Sequence, residues 1–183
     1  SRTARSGTPG GSIIDNGLIM MGVHEQGHLN IPGPDSSGGV SYVGLRYLPT
    51  NAEATAPGTP AEGWGVADGI SAVSGYANEG GGGAVNLSVL DFVATPSTAT
   101  SVVQVGSTFT VSHEYRPSPH TPNLYEVVVT VHNISPDATE VLYRRVMDWD
   151  IEPTAFYEFV TIQGTAGAAN VTYAKGGDLH VWV

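Results

Sequence analysis

Cysteine is absent from the chain, and lysine occurs once, at Lys175. The lack of cysteine excludes disulfide bonds, thiolate catalysis and cysteine-bound zinc for this sequence. Seven basic residues against seventeen acidic ones give a formal net charge of −10. A nucleic-acid binder needs a basic stripe to neutralise phosphates, so we expect no nucleic-acid partner. No apolar run approaches the roughly 20 residues of a transmembrane helix, which predicts no membrane insertion.

A sustained 3.6-residue apolar period is also missing, which predicts little helix. β-Branched and aromatic runs recur instead, separated by clusters of Gly, Pro, Asn and Asp. This pattern predicts an all-β fold, an antiparallel β-sandwich of about ten short strands with long Gly/Pro-rich loops. The candidate strands are residues 12–23, 40–48, 64–73, 84–94, 100–105, 107–115, 124–133, 140–151, 156–163, 169–174 and 179–183.

The 183 residues are enough for one domain with its own core. We expect a flexible N-terminal segment over residues 1–11, which is polar and rich in glycine, and a single sandwich domain over 12–183. The chain ends in the strand-like sequence LHVWV, which is typical of a domain truncated at its C-terminus.

The clearest periodic stretch runs from Tyr125 to Glu152. Apolar residues alternate with mixed ones before and after the turn-forming sequence NISPDATE, and successive side chains of a strand point to opposite faces. We therefore predict that residues 124–133 and 140–151 pair as a hairpin whose apolar faces join one core. Trp149 falls on the apolar face, whereas Trp64, between glycines, is predicted to cap a core edge rather than to stack on a ligand.

His24-Glu25-Gln26-Gly27-His28 has the HExxH spacing of zinc hydrolases. In that chemistry both histidines lie on one helix and bind zinc, while the glutamate activates a water molecule. Glycines in and around the motif disfavour a helix. We therefore predict a polar turn between strands, with zinc binding by His24, Glu25 and His28 as the alternative.

Asp148, Asp150 and Glu152 alternate in MDWDIEP and would share one face of a strand. Carboxylates at this spacing can converge on a hard cation, which predicts a calcium site. A glycosidase acid/base pair is a weaker reading of the same residues. Charge compensation by nearby arginines needs no metal and involves Arg144, Arg145 or Arg116.

The stretches TPNLYEVVVTVHNIS and LYRRVMDWDIEPTAFYEFVTI, with GLRYLP and EGWGVADG upstream, resemble a group of large bacterial secreted proteins. The resemblance covers residues 12–165. It implies an exported β-rich module and carries over no catalytic residues. In that group the segment matching GVHEQGHLNIPG does not keep both histidines.

Together these features favour a non-enzymatic module at the cell surface or outside the cell, with a structural, adhesive or self-assembling role in a surface layer or filament. Its expected partners are a second copy, through unpaired strand edges, or a cell-surface carbohydrate. The alternatives are a zinc-dependent hydrolase using HEQGH and a calcium-stabilised carbohydrate-binding module.

Overall fold

The computed structural model of the protein describes residues 10–157 in full and the backbone of residues 5–6, 174–176 and 179–181. The described residues are all-β, as the sequence predicts, and contain no helix. No membrane-spanning helix is therefore found in these ranges.

The strands are more numerous and shorter than predicted, because the loops contain pieces of two to four residues. In chain order they are β1 Arg5–Ser6, β2 Ser12–Asp15, β3 Ile19–Val23, β4 Ile31–Pro32, β5 Tyr42–Val43, β6 Leu45–Tyr47, β7 Ala52–Glu53, β8 Glu62–Asp68, β9 Ser74–Ala77, β10 Ala84–Val85, β11 Leu87–Ala94, β12 Ala99–Val105, β13 Phe109–Pro117, β14 Tyr125–Asn133, β15 Val141–Met147, β16 Ala174–Gly176 and β17 Leu179–Val181. Most of the predicted strands 156–163 and 169–174 lies outside the described residues.

Three antiparallel sheets build the body of the sandwich. The five-stranded sheet has the order β1-β11-β12-β13-β14, and its first strand comes from the segment 1–11. Two four-stranded sheets have the orders β10-β9-β8-β15 and β2-β3-β6-β7. Short pairs, β4 with β5 and β16 with β17, complete the described strands.

One face of the five-stranded sheet packs against both four-stranded sheets. The burial of β12 and β13 alternates with a period of two, as expected for a half-buried sheet. One core joins Val103, Val105, Phe109 and Val111 to Trp64 and its neighbours on β8 and β9. A second core, farther along the same two strands, joins Ala99 and Tyr115 to apolar side chains of β2 and β3.

The predicted strand 12–23 folds as a hairpin of β2 and β3. Asn16 is at its turn, where the side-chain Oδ1 accepts hydrogen bonds from the backbone N–H of Leu18 and Ile19. Gly17 follows with φ of +88°, a conformation that glycine adopts without a steric penalty. The Asp-Asn-Gly signal in the sequence is thus used as a turn.

The predicted hairpin between residues 124–133 and 140–151 is wrong. β14 pairs with β13, whereas β15 pairs with β8 in the opposite sheet. The turn-rich segment between β14 and β15 therefore crosses from one sheet to the other. The expectation of a common core holds, since Val129 and Val131 of β14 and Tyr143 of β15 pack on the same cluster.

Candidate functional site

The HEQGH motif forms a tight turn at the end of β3. The backbone N–H of His24 donates to the carbonyl of His28 at 2.8 Å, and the N–H of Gly27 donates to the carbonyl of His24 at 2.9 Å. Val23 and Leu29 then form a β-bridge across the turn. The backbone is thus strand, turn and bridge, as predicted, and not the helix on which zinc hydrolases place this motif.

The two imidazole rings of the motif stack on each other. The ring centroids of His24 and His28 are 4.3 Å apart, with 14° between the planes. An imidazole lone pair lies in the ring plane, so two nearly parallel rings do not aim their nitrogens at one point between them. His24 Nδ1 accepts from the backbone N–H of Gln26, and His28 Nδ1 lies 2.5 Å from the Leu29 carbonyl.

The third residue of the predicted zinc set points elsewhere. Glu25 Oε2 accepts a hydrogen bond from the backbone N–H of Gly10 at 3.2 Å. Among the described residues no three His, Asp or Glu side chains are grouped as metal ligands. Zinc binding by His24, Glu25 and His28 stays a prediction, and it would require the side chains to leave the conformations found here.

A buried polar network lies beneath the turn. Arg145 of β15 donates through Nε to Glu62 Oε1 of β8 at 2.5 Å and through Nη2 to the Tyr115 hydroxyl at 2.7 Å. Glu62 Oε2 accepts from the backbone N–H of Leu29, and the Tyr115 hydroxyl donates to the carbonyl of Gly27. Glu62 is fully buried. Glu62 and Tyr115, both bonded to Arg145, therefore hold the backbone of the turn on the two sides of His28.

His113 occupies the seam between the two apolar cores. It is fully buried on β13, directly opposite Ser101 of β12, whose hydroxyl donates to the carbonyl of Glu25. Its Nε2 is 3.0 Å from the Tyr143 hydroxyl. Its Nδ1 has no hydrogen-bond partner among the described residues and faces Gly27, where an added Cβ would lie 2.5 Å from that nitrogen. Only glycine fits at this point of the turn.

Trp64 closes the network from the side of β8. It has no exposed surface and belongs to the core, so it is buried more completely than the predicted edge cap. Its ring centroid is 4.6 Å from that of His113. Its indole N–H donates to the carbonyl of Gln26 at 2.8 Å, which gives the buried polar atom its required partner.

Burial and the Arg145 cation keep the inner histidines neutral. Burial lowers the pKa of His28 to about 4, with His24 and Arg145 adding to the effect. Burial also lowers the pKa of His113 to about 3, again with a contribution from Arg145. Burial raises the pKa of the Glu62 carboxyl, and the charge of Arg145 opposes that rise. Burial is thus the main cause of these shifts, and the permanently charged Arg145 adds to the two histidine shifts and opposes that of Glu62.

The acidic stretch does not form the shared strand face that the sequence predicts. β15 ends at Met147, and the following segment leaves the sheet to run along residues 53–61. Asp148 is exposed, whereas Asp150 and Glu152 are buried. The backbone N–H of Asp150 donates to the Ala54 carbonyl, and that of Glu152 donates to the Glu53 carbonyl.

Glu152 connects two segments of the chain, at Ser36 and at Glu53, through hydrogen bonds to its carboxylate. Its Oε1 accepts from the Ser36 hydroxyl at 2.6 Å, and its Oε2 accepts from the backbone N–H of Glu53 at 3.0 Å. Burial raises the pKa of Glu152, but these hydrogen bonds outweigh it and lower the pKa overall. Calcium binding by Asp148, Asp150 and Glu152 stays a prediction, and it would require the Glu152 carboxylate to give up these hydrogen bonds.

The arginines considered as compensation for these acids pair elsewhere. Arg145 binds Glu62, Arg144 binds Glu79, and Arg116 binds Glu126. The predictions from sequence missed Glu62, Tyr115 and His113. Their signal is faint, since a polar residue at an inward position of a strand becomes visible only when the facing strands are known.

The sheet edges differ in length and charge. Within the described residues β1, β7 and β10 have two residues each, and β2 has four. β15 has seven, but it carries Arg144 and Arg145. β14 has nine residues, no lysine and no proline, and it pairs only with β13 among the described strands.

Comparison of the chain with protein-family models, curated proteins and solved structures finds no match.

Proposed function

We propose that the protein is a non-enzymatic extracellular module with a structural, self-assembling role, and that β14 is the strand through which two copies associate. The observation that supports this most directly is the contrast among the sheet edges. Natural sheets protect their edges with short strands, charged residues or proline. β1, β2, β7, β10 and β15 have one of these protections, whereas β14 has none along its nine residues apart from Glu126.

The side chains of β14 fit this role. Val127, Val129 and Val131 face inward and pack on the two cores, which fixes the register of the strand. Val128 and Thr130 are exposed on the other face. A second copy adding an antiparallel strand would satisfy backbone N–H and C=O groups along this edge and bring the exposed side chains of the two strands together.

A lysine at the edge tests the proposal. Thr130→Lys adds an exposed charge to β14, and such a charge opposes pairing of two identical edges. We expect wild-type protein to form dimers or larger species as concentration rises in sedimentation velocity, and Thr130→Lys to shift the species toward monomer.

Ser112→Lys is the matched control. Ser112 lies directly opposite Thr130, on the inner strand β13. A lysine at residue 112 therefore adds the same charge to the same face of the sheet without changing the edge strand. We expect this variant to associate as the wild type does. A wild-type protein that stays monomeric at millimolar concentration, or equal effects of the two lysines, would count against the proposal.

The zinc and calcium alternatives have direct tests. Elemental analysis of protein purified without chelators measures bound zinc, and a melting temperature unchanged by calcium or by EDTA would count against a calcium site. A ligand that binds only the native state must raise its stability.

A further inference from the structure

The outer face of the β10-β9-β8-β15 sheet contains a groove of about 380 Å³, within the roughly 300–1,000 Å³ typical of small-molecule sites. Its floor is β8, where Gly65 and Ala67 face outward. Tyr76 of β9 forms one wall, and Leu142 and Arg144 of β15 form the other. Larger side chains on the two flanking strands, β9 and β15, and small ones on β8 between them make the groove run along β8.

The register places the key groups in one row across the sheet. Tyr76 pairs with Gly65, and Gly65 pairs with Arg144. Neighbouring strands lie about 4.8 Å apart, so the tyrosine and the arginine are separated by about twice that distance. The Glu79 carboxylate occupies the part of this gap directly over Gly65, so a sugar ring would lie on the ion pair beside Tyr76, and a chain of such rings would run along the groove.

An ion pair lies over the floor at Gly65. Arg144 donates to both carboxylate oxygens of Glu79, with 2.6 Å from Nε to Oε1. A Cβ at residue 65 would lie 2.5 Å from Glu79 Oε1, so a glycine is required for the carboxylate to lie there. The Glu79 side chain is 12% exposed and that of Arg144 is 70% exposed.

The pair retains capacity for a ligand. A guanidinium has five N–H donors and a carboxylate about four acceptor positions, and the two bonds between them use only part of each. Donors and acceptors thus lie side by side, which suits vicinal hydroxyl groups because each hydroxyl both donates and accepts. Tyr76, 38% exposed, offers an aromatic face for the C–H groups of a sugar ring.

We propose that this groove binds an uncharged pyranose polysaccharide, with a sugar ring against Tyr76 and its hydroxyls on Glu79 and Arg144. Charge favours a neutral polymer, since the ion pair is neutral and the whole chain has a net charge of −10, which repels acidic glycans. The site is separate from the β14 edge and does not depend on self-association.

Titration calorimetry of the full chain tests the proposal with maltohexaose, cellohexaose, chitohexaose and xylohexaose as neutral probes and hyaluronan fragments as the acidic one. We expect one or more neutral probes to bind, Tyr76→Ala and Arg144→Met each to weaken binding by about tenfold or more, and Tyr76→Phe to bind as the wild type does. Tyr47→Ala, an exposed tyrosine on β6, is the control and should not change affinity.

Three outcomes would overturn the proposal. The first is that no neutral probe binds at millimolar concentration. The second is that the Tyr76→Ala and Arg144→Met variants bind with the affinity of the wild type. The third is that only the acidic probe binds. Tyr76 and Arg144 are exposed, but Arg144→Met also leaves the 12%-exposed Glu79 without its arginine, so the melting temperature of each variant is measured to separate a loss of binding from a loss of stability.

Discussion

At the scale of single residues, the Glu62–Arg145 pair connects the HEQGH turn to the sheet below it. A buried ion pair adds little stability compared with an apolar pair, but removal of one partner leaves a buried charge without compensation. The exposed pair Arg116–Glu126 provides the contrast, because its side chains are 53% and 31% exposed.

We expect Arg145→Met to lower the free energy of unfolding by about 3–5 kcal/mol in urea denaturation at neutral pH. The double variant Glu62→Gln with Arg145→Met should lose less than the sum of the two single variants, because the two residues share one network. Arg116→Met should cost at most about 1 kcal/mol. Equal losses at the two arginines would contradict this view of the buried pair.

The neutral histidines predict loss of stability in acid. The ordinary histidine pKa is about 6.5 in the unfolded chain, while His28 and His113 keep folded-state values of about 4 and about 3. Above pH 6.5 neither state binds these protons. As pH falls below that value the unfolded chain binds them first, so unfolding is favoured by up to about 1.4 kcal/mol per pH unit for each histidine.

The measurement is the free energy of unfolding between pH 7 and pH 5 for wild type and His28→Gln. The variant should lose less stability over this range, since it lacks one of the histidines whose pKa burial lowers. The raised pKa of Glu62 acts in the opposite direction in both proteins and cancels in the comparison. Parallel pH profiles would show that His28 is not a source of the acid sensitivity.

At the scale of elements, two turn glycines have similar φ angles but different surroundings. A comparison of their substitutions therefore distinguishes backbone strain from side-chain packing. Gly27 and Gly17 have φ of +80° and +88°. A Cβ at Gly27 would lie 2.5 Å from His113 Nδ1, whereas a Cβ at Gly17 has nothing within 4 Å.

Gly17→Ala should therefore lower the free energy of unfolding only by the strain of an alanine in the left-handed conformation, about 1–2 kcal/mol. Gly27→Ala should cost more, because His113 is buried and cannot move aside without disturbing Tyr143 and Trp64. Thermal unfolding of the two variants checks the difference. Equal melting temperatures would mean that the turn yields to the added methyl group.

The strands were predictable where burial has a period of two. The predicted strands 100–105 and 107–115 match β12 and β13 closely, because side-chain alternation is a local property. The predicted strand 84–94 instead divides into β10 and β11, which belong to two different sheets. The partner of β15 was not predictable in the same way. Alternation shows which face of a strand is buried, but it does not show that residues 134–140 cross between sheets rather than reverse within one.

The candidate sites show the same contrast between local features, which the sequence predicts, and contacts between residues far apart in the chain, which it does not. The turn conformation of HEQGH could be predicted from the glycines in and around the motif, because the conformational preference of glycine acts over a few residues. The link from Glu62 to Arg145 spans 83 positions, and the link from Tyr115 to Arg145 spans 30. The acidic stretch was misplaced because β15 ends at Met147, where residues 53–61 provide backbone partners that the sequence pattern does not show.

At the scale of the whole molecule, the net charge of −10 opposes association of two copies. Salt shortens the reach of this repulsion from about 30 Å at 0.01 M to about 8 Å at 0.15 M. Hydrogen bonds between strand edges are much less sensitive to salt.

We therefore expect sedimentation velocity to show more dimer at high sodium chloride than at low, with Thr130→Lys below the wild type under both conditions. Association that weakens as salt is added would indicate ion pairs between copies instead of strand pairing at β14.

β12 and β13 each contribute to both apolar cores, and Ser101 and His113 mark the point where one core gives way to the other. The two covering sheets therefore share a common wall. If either four-stranded sheet detached, it would expose one end of β12 and β13 while their other end stayed packed. The exposed end would then weaken strand pairing along the full length of β12 and β13. We therefore expect the two cores to unfold together, in one cooperative transition.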